Sequence, residues 1–76
     1  MEYVLVIHGA EEGGYWAEVP SLPGCFAQAE TLEELLDEAQ GAIGSHLEAL
    51  REAGQDVPQE RLIIATVQAP GLAKAS

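Results

Sequence analysis

The chain predicts an α+β fold of order β-β-β-α-β: one four-stranded, mostly antiparallel sheet with one long helix packed on one face. Three observations predict it. Two runs rich in β-branched residues, Tyr3-Val4-Leu5-Val6-Ile7 and Leu62-Ile63-Ile64-Ala65-Thr66-Val67, are apolar without alternation and read as strands buried on both faces. Glycine and proline punctuate the first thirty residues at the spacing of a β-meander. After them, apolar residues recur at helical spacing. A right-handed crossover through that helix places strand four beside and parallel to strand one, giving the order 3-2-1-4.

The elements follow in turn. The first strand, residues 3–7, runs into Gly9-Ala10-Glu11-Glu12-Gly13-Gly14, a turn whose glycines tolerate positive φ and whose glutamates need water. Tyr15-Trp16-Ala17-Glu18-Val19 returns as the second strand, and Pro20 ends it because proline has no N–H for the ladder. Leu22-Pro23-Gly24-Cys25 fits a type II turn, with proline at its second position and glycine at its third. Residues 25–30 form a short third strand. Thr31-Leu32-Glu33-Glu34 is a capping box.

From there Leu32, Leu35, Leu36, Ala39, Ala42, Ile43, His46, Leu47 and Leu50 make one apolar stripe, and Gly54 is placed as a left-handed cap. The span of about 22 residues is roughly 33 Å long. Gly41 and Gly44 inside it read as close approach to the sheet, or else as a helix contact between subunits. Residues 62–67 form strand four. Residues 1–68 are then the folded domain and residues 69–76, with Pro70 and Gly71, a flexible C-terminal tail.

Composition bounds the function. With 76 residues the core is near the lower limit for independent stability, and a single cysteine excludes an internal disulfide. Self-association is the remaining source of extra burial. One helix covers one sheet face, so Tyr3, Leu5 and Ile7 of strand one and Ile63, Ala65 and Val67 of strand four are the expected oligomer interface of a homodimer or larger assembly. Thirteen carboxylates against three basic side chains give a formal net charge of −10, which excludes nucleic acid and anionic membranes as direct partners. The absence of a long apolar run or a basic-then-apolar leader makes a cytoplasmic location the expectation.

No constellation of residues carries catalysis or binds a metal or cofactor. Cys25, His8 and His46 are the one conceivable nucleophile–base set, yet no basic side chain adjoins Cys25 to lower its pKa. Cys25 reads as a small packing residue, His46 as part of the helix stripe and His8 as a polar strand end. The strand order is partly ribonuclease-H-like, but that chemistry needs carboxylates on the central strands, and residues 3–7 and 62–67 hold none. The acids fall instead into two clusters, Glu11, Glu12 and Glu18 on the hairpin and Glu33, Glu34, Asp37 and Glu38 on the first helical turns. They form the expected partner-binding surface, suited to a basic protein.

The run Gly13-Gly14-Tyr15-Trp16-Ala17-Glu18-Val19-Pro20-Ser21-Leu22-Pro23-Gly24-Cys25, followed by Thr31-Leu32-Glu33-Glu34-Leu35 and Ala39 and Ala42, resembles HicB-like antitoxins over about residues 3–67. The resemblance implies the same β-β-β-α-β fold, with Gly14, Tyr15, Pro20, Pro23, Gly24 and Thr31 as fold determinants. It implies a non-enzymatic protein that masks a small, basic, HicA-like mRNA-cleaving toxin. The alternative is a homo-oligomeric binding or regulatory module without a toxin. Family members often carry a C-terminal DNA-binding domain; only nine residues follow strand four here, so operator binding is not carried over.

Overall fold

Pro20 and two turns decide how the first thirty residues pair. In the computed structural model, which describes residues 1–71, the chain forms β1 (Val6–Gly9), β2 (Tyr15–Glu18), β3 (Phe26–Ala29) and α1 (Leu32–Glu52). Of the tail expected at 69–76, residues 72–76 lie outside the described residues. The three strands make one antiparallel sheet in the order β1-β2-β3. In β1–β2, Val6 faces Glu18 and Gly9 faces Tyr15; in β2–β3, Tyr15 faces Ala29 and Glu18 faces Phe26.

The first strand begins later than its composition predicts. Two residues before Val6, the register would set Val4 opposite Pro20, which offers no N–H, and the Val4 N–H turns instead to the Glu60 carboxylate at 2.5 Å. The expected type II turn is present: the Cys25 N–H donates to the Leu22 carbonyl at 3.0 Å and Gly24 has φ 87°. A second turn precedes it, with Leu22 N–H to Val19 O at 2.9 Å. Together they bury Leu22 completely, in a cluster with Val19 and Cys25.

Thr31 caps α1 as predicted, its hydroxyl oxygen accepting from the Glu34 N–H at 3.2 Å. The Glu34 carboxylate accepts a hydrogen bond from the Thr31 hydroxyl at 2.9 Å rather than one from a backbone N–H. At the other end Gly54, φ 72°, closes a Schellman motif: its N–H donates to Arg51 O, and the Gln55 N–H to Leu50 O. The helix lies on β2 and β3, where Leu35 and Ala39 bury against the sheet face that carries Ala17.

Two expectations are corrected. The sheet has no fourth strand among the described residues, so neither the order 3-2-1-4 nor the partly ribonuclease-H-like topology is present. Residues 62–67 have the composition of a strand, but β-propensity states only that a side chain fits a pleated, half-buried surface; it supplies no partner. Here the Arg61 and Leu62 N–H groups both donate to Glu60, each at 2.9 Å, so the run starts with its first residue's donor already taken. It continues as an exposed arm, with Ile63 at 91% and Val67 at 92% exposure. The radius of gyration of 15.9 Å, against about 11 Å for a compact chain of this length, measures how far the arm stands off.

The second correction concerns the helix glycines. A Cβ built on Gly41 or Gly44 meets nothing within 4 Å, so neither allows close approach to the sheet. Alanine at either position therefore gains helix propensity without a clash, and each substitution is expected to raise unfolding stability by about 1 kcal/mol. Gly24→Ala should lower it by a similar amount, because an L-residue is strained at that positive φ. Denaturant unfolding of the three variants checks both signs.

Candidate protein-interaction surface

The β1–β2 turn, the end of β3 and the start of α1 share one end of the molecule, because Gly9, Tyr15 and Ala29 align across the sheet. Backbone closeness confirms it: Gly14, φ 79°, lies so near that an added Cβ would meet Glu30 Oε2 at 2.6 Å and the Ala29 carbonyl at 3.0 Å. Only glycine meets both demands there. This end gathers exposed Glu11, Glu12, Glu30, Glu33 and Glu34. The glutamates of the first helical turn also complement the helix dipole. Arg51, by contrast, sits in the last turn, about 30 Å away along the 21-residue helix.

One turn further along α1, exposed Asp37 and Glu38 flank the outer edge of β3. With Phe26, Ala27 and Gly41 they line a shallow groove between helix and strand. Gly41 keeps that groove open, since no side chain projects from it. Phe26 is 59% exposed and also borders a second depression with Trp16, Gln28 and Glu38. An aromatic ring rimmed by carboxylates is thus presented beside an unpaired strand edge.

Glu18 stands apart from the other predicted acids. It lies at the far end of β2, opposite Val6 and Phe26, and pairs with His8 through Nε2···Oε2 at 2.9 Å. His8 stacks on Trp16 with ring centroids 4.1 Å apart and planes 14° off parallel. The sheet face away from α1 therefore carries Val6, His8, Trp16, Glu18, Phe26 and Gln28.

The expected oligomer residues also divide. Tyr3 and Leu5 are half-buried against the Val19–Leu22–Cys25 cluster, and Ile7 lies at the β1 edge at 40% exposure. Ile63, Ala65 and Val67 stand exposed on the arm. Among the turn residues, Tyr15 is half-buried, while Pro20 and Pro23 are exposed and act through their fixed φ. Cys25 is buried and burial pushes its thiol up, the reverse of what a nucleophile needs. Among the described residues no group of three or more His, Cys, Asp or Glu side chains is placed to hold a metal. No helix there is long and apolar enough to cross a membrane.

Sequence reasoning missed Glu60. Its Oε1 accepts from Val4 N–H at 2.5 Å, and its Oε2 from Ser21 Oγ at 2.7 Å and from Arg61 and Leu62 N–H at 2.9 Å each. The Tyr3 hydroxyl donates to the adjacent Pro58 carbonyl at 2.5 Å. These bonds tie the base of the arm to the segment before β1. The sequence signal was faint: a lone carboxylate at the foot of an apolar run.

The comparisons agree with this architecture. The family model described as HicB_like antitoxin of bacterial toxin-antitoxin system matches residues 3–75. The chain belongs to the HicB-like antitoxin family. A UPF0150 protein of Thermoplasma acidophilum is 36% identical over 69 residues, covering 91% of this chain and 100% of that protein. The N-terminal domain of Burkholderia pseudomallei antitoxin HicB superposes with a TM-score of 0.72 at 29% identity, over 97% of this HicB-like chain and 88% of that one. A chain of a HicA3 and HicB3 toxin-antitoxin complex gives a TM-score of 0.69 at 29% identity, over 80% and 71%.

Glu60 gives a pH test. Donation from the Val4 and Leu62 N–H groups and the Ser21 hydroxyl lowers its pKa from 4.5 to about 2. A depressed carboxylate contributes stability that is complete above pH 4.5 and lost as pH falls through about 2. The Val4 and Leu62 amide resonances should therefore shift with a midpoint near pH 2, and Glu60→Gln should abolish that step. A midpoint near 4.5 would show the carboxylate to be free.

Proposed function

We propose that this HicB-like protein is a non-enzymatic antitoxin module that binds and masks a small, basic, HicA-like mRNA-cleaving toxin in the cytoplasm. The observation that carries the reading is the β3 edge: exposed Phe26 beside Asp37 and Glu38, continuous with the acidic end of the molecule. A desolvated aromatic anchor with a charged rim is the usual composition of an affinity centre. The carboxylates steer a cationic partner toward it and repel acidic competitors. Likeness to a chain of a HicA3 and HicB3 toxin-antitoxin complex supports the same class of partner.

Self-association belongs to the same proposal, as it did on composition. The exposed apolar arm at 62–67 supports it, because a charge-free segment of that kind is the part of a surface that association removes from water.

Titration of a basic HicA-like toxin from the same genome into the protein, with mRNA cleavage as readout, tests the toxin reading. The wild type is expected to form a complex and stop cleavage. Phe26→Ala should weaken binding by about 2 kcal/mol, roughly thirtyfold, mostly through faster dissociation. The Asp37→Lys/Glu38→Lys double variant should slow association and flatten its salt dependence. A wild-type protein that neither binds nor inhibits the toxin would reject the proposal.

A further inference from the structure

We infer that residues 62–67 of one copy seat against the free edge of β1 in a second copy, and that the exchange is reciprocal. The inference rests on the self-association reading and names its surface. Each chain's own sheet remains three-stranded; the contact lies between subunits.

The arm is the most water-exposed apolar segment of the described chain, with Ile63 at 91%, Ile64 at 69% and Val67 at 92%. It carries no charged side chain between Leu62 and Val67, in a protein of net charge −10. Its base is fixed by Glu60 and by the Tyr3–Pro58 bond, which hold it to the segment just before β1. The arm makes no ladder with its own β1, and of its backbone donors Leu62 N–H is bonded to Glu60.

β1 is an edge strand, paired with β2 on one side alone. Its residues Val6, Ile7, His8 and Gly9 include no carboxylate, and Ile7 is 40% exposed. An uncovered edge of this kind accepts an added strand through backbone hydrogen bonds.

Charge selects the occupant. Two chains of net charge −10 repel at most orientations and approach at least cost where both surfaces are uncharged. The arm carries no charge, and at β1 the one bordering carboxylate, Glu18, is paired with His8. The β3 edge, flanked by Asp37 and Glu38, is not such a surface. A basic protein gains nothing from a neutral arm, whereas a second copy gains two equivalent contacts through a two-fold axis. Two arms and the edges that cover them remove on the order of 1,200 Å² from solvent, the lower end of stable specific interfaces.

Light scattering on a sizing column, with the full chain, tests the contact. Wild type should be dimeric. The Ile63→Asp/Val67→Asp variant should weaken the dimer about a hundredfold or more, since each arm would then bury two carboxylates. Its helical circular-dichroism signal and its unfolding midpoint as a monomer should be retained, because both substituted residues are exposed and lie outside α1 and the three-stranded sheet. Ile7→Lys on the β1 edge should dissociate the dimer as well, and mixing the two variants should restore a heterodimer through the one intact arm–edge pair. A dimeric arm variant overturns the inference while self-association stands. Failure of the mixture to associate, with both variants folded, overturns arm-to-edge pairing. A monomeric wild type overturns self-association itself.

Discussion

The hydrogen bond from the Val19 N–H to the Cys25 carbonyl, 3.1 Å long, closes the loop on which the rest of the molecule is built. The two nested turns inside it reverse the chain so that β3 returns beside β2. They also push Leu22 inward to complete burial, between Val19 and Cys25. Tyr3 and Leu5 pack on that cluster from the N-terminal segment, and Ala42, Ile43, Leu47 and Leu50 from the second half of α1. Without the closed loop the helix would have no floor beyond Ala17 and Ala27. In so small a core, the few buried side chains must come from a loop as well as from strands and helix.

This economy leaves two unpaired sheet edges of opposite character. Beside β3 runs the acidic flank of α1, with Asp37 and Glu38 next to Phe26. Beside β1 there is no helix, and the carboxylate that borders it, Glu18, is paired with His8. A sheet of three strands covered on one face cannot hide either edge, so charge is what separates their partners. The acidic edge repels another copy of the chain and attracts a cation-rich surface; the neutral edge does neither. The proposed toxin contact and the proposed self-association therefore fall on different strands of one small domain.

What the sequence discloses follows the range of the forces involved. The type II turn at Gly24, the Thr31 cap and the Gly54 Schellman motif are set by residues a few positions apart, and each stands where local pattern puts it, whereas the hairpin forms with its first strand displaced to Val6–Gly9. The helix stripe is equally local: Leu35 and Ala39 of it bury, while Leu32 and Leu36, assigned to the same stripe, stand exposed. Strand four is different in kind. Its apolar, β-branched run describes a segment suited to a sheet, but pairing needs a partner edge in reach, which composition does not supply. The acids of the helix start and hairpin turn were legible as a group because topology brings both to one end. Glu18 was misgrouped because the His8 ring that binds it comes from the neighbouring strand, ten residues away.

Glu60 shows why a single carboxylate can redirect a strand. Pro20 interrupts the ladder and leaves the Val4 N–H without a strand partner, while the turn into the arm exposes the N–H groups of Arg61 and Leu62. Four donors, with the Ser21 hydroxyl, then lie within reach of one side chain that accepts at about four lone-pair positions and donates none. Bonds to an ionised acceptor are stronger than the neutral ladder bonds they displace, and the low pKa of Glu60 reflects that preference. The partners lie 39 and 56 residues away in sequence, which is why no local pattern announces them. The same contact has two consequences. It holds the arm's base to its own subunit, and it engages the N–H groups of Arg61 and Leu62 where the arm begins. A segment so held is positioned but uncovered, and that combination is the reason for proposing the β1 edge of another copy as its seat.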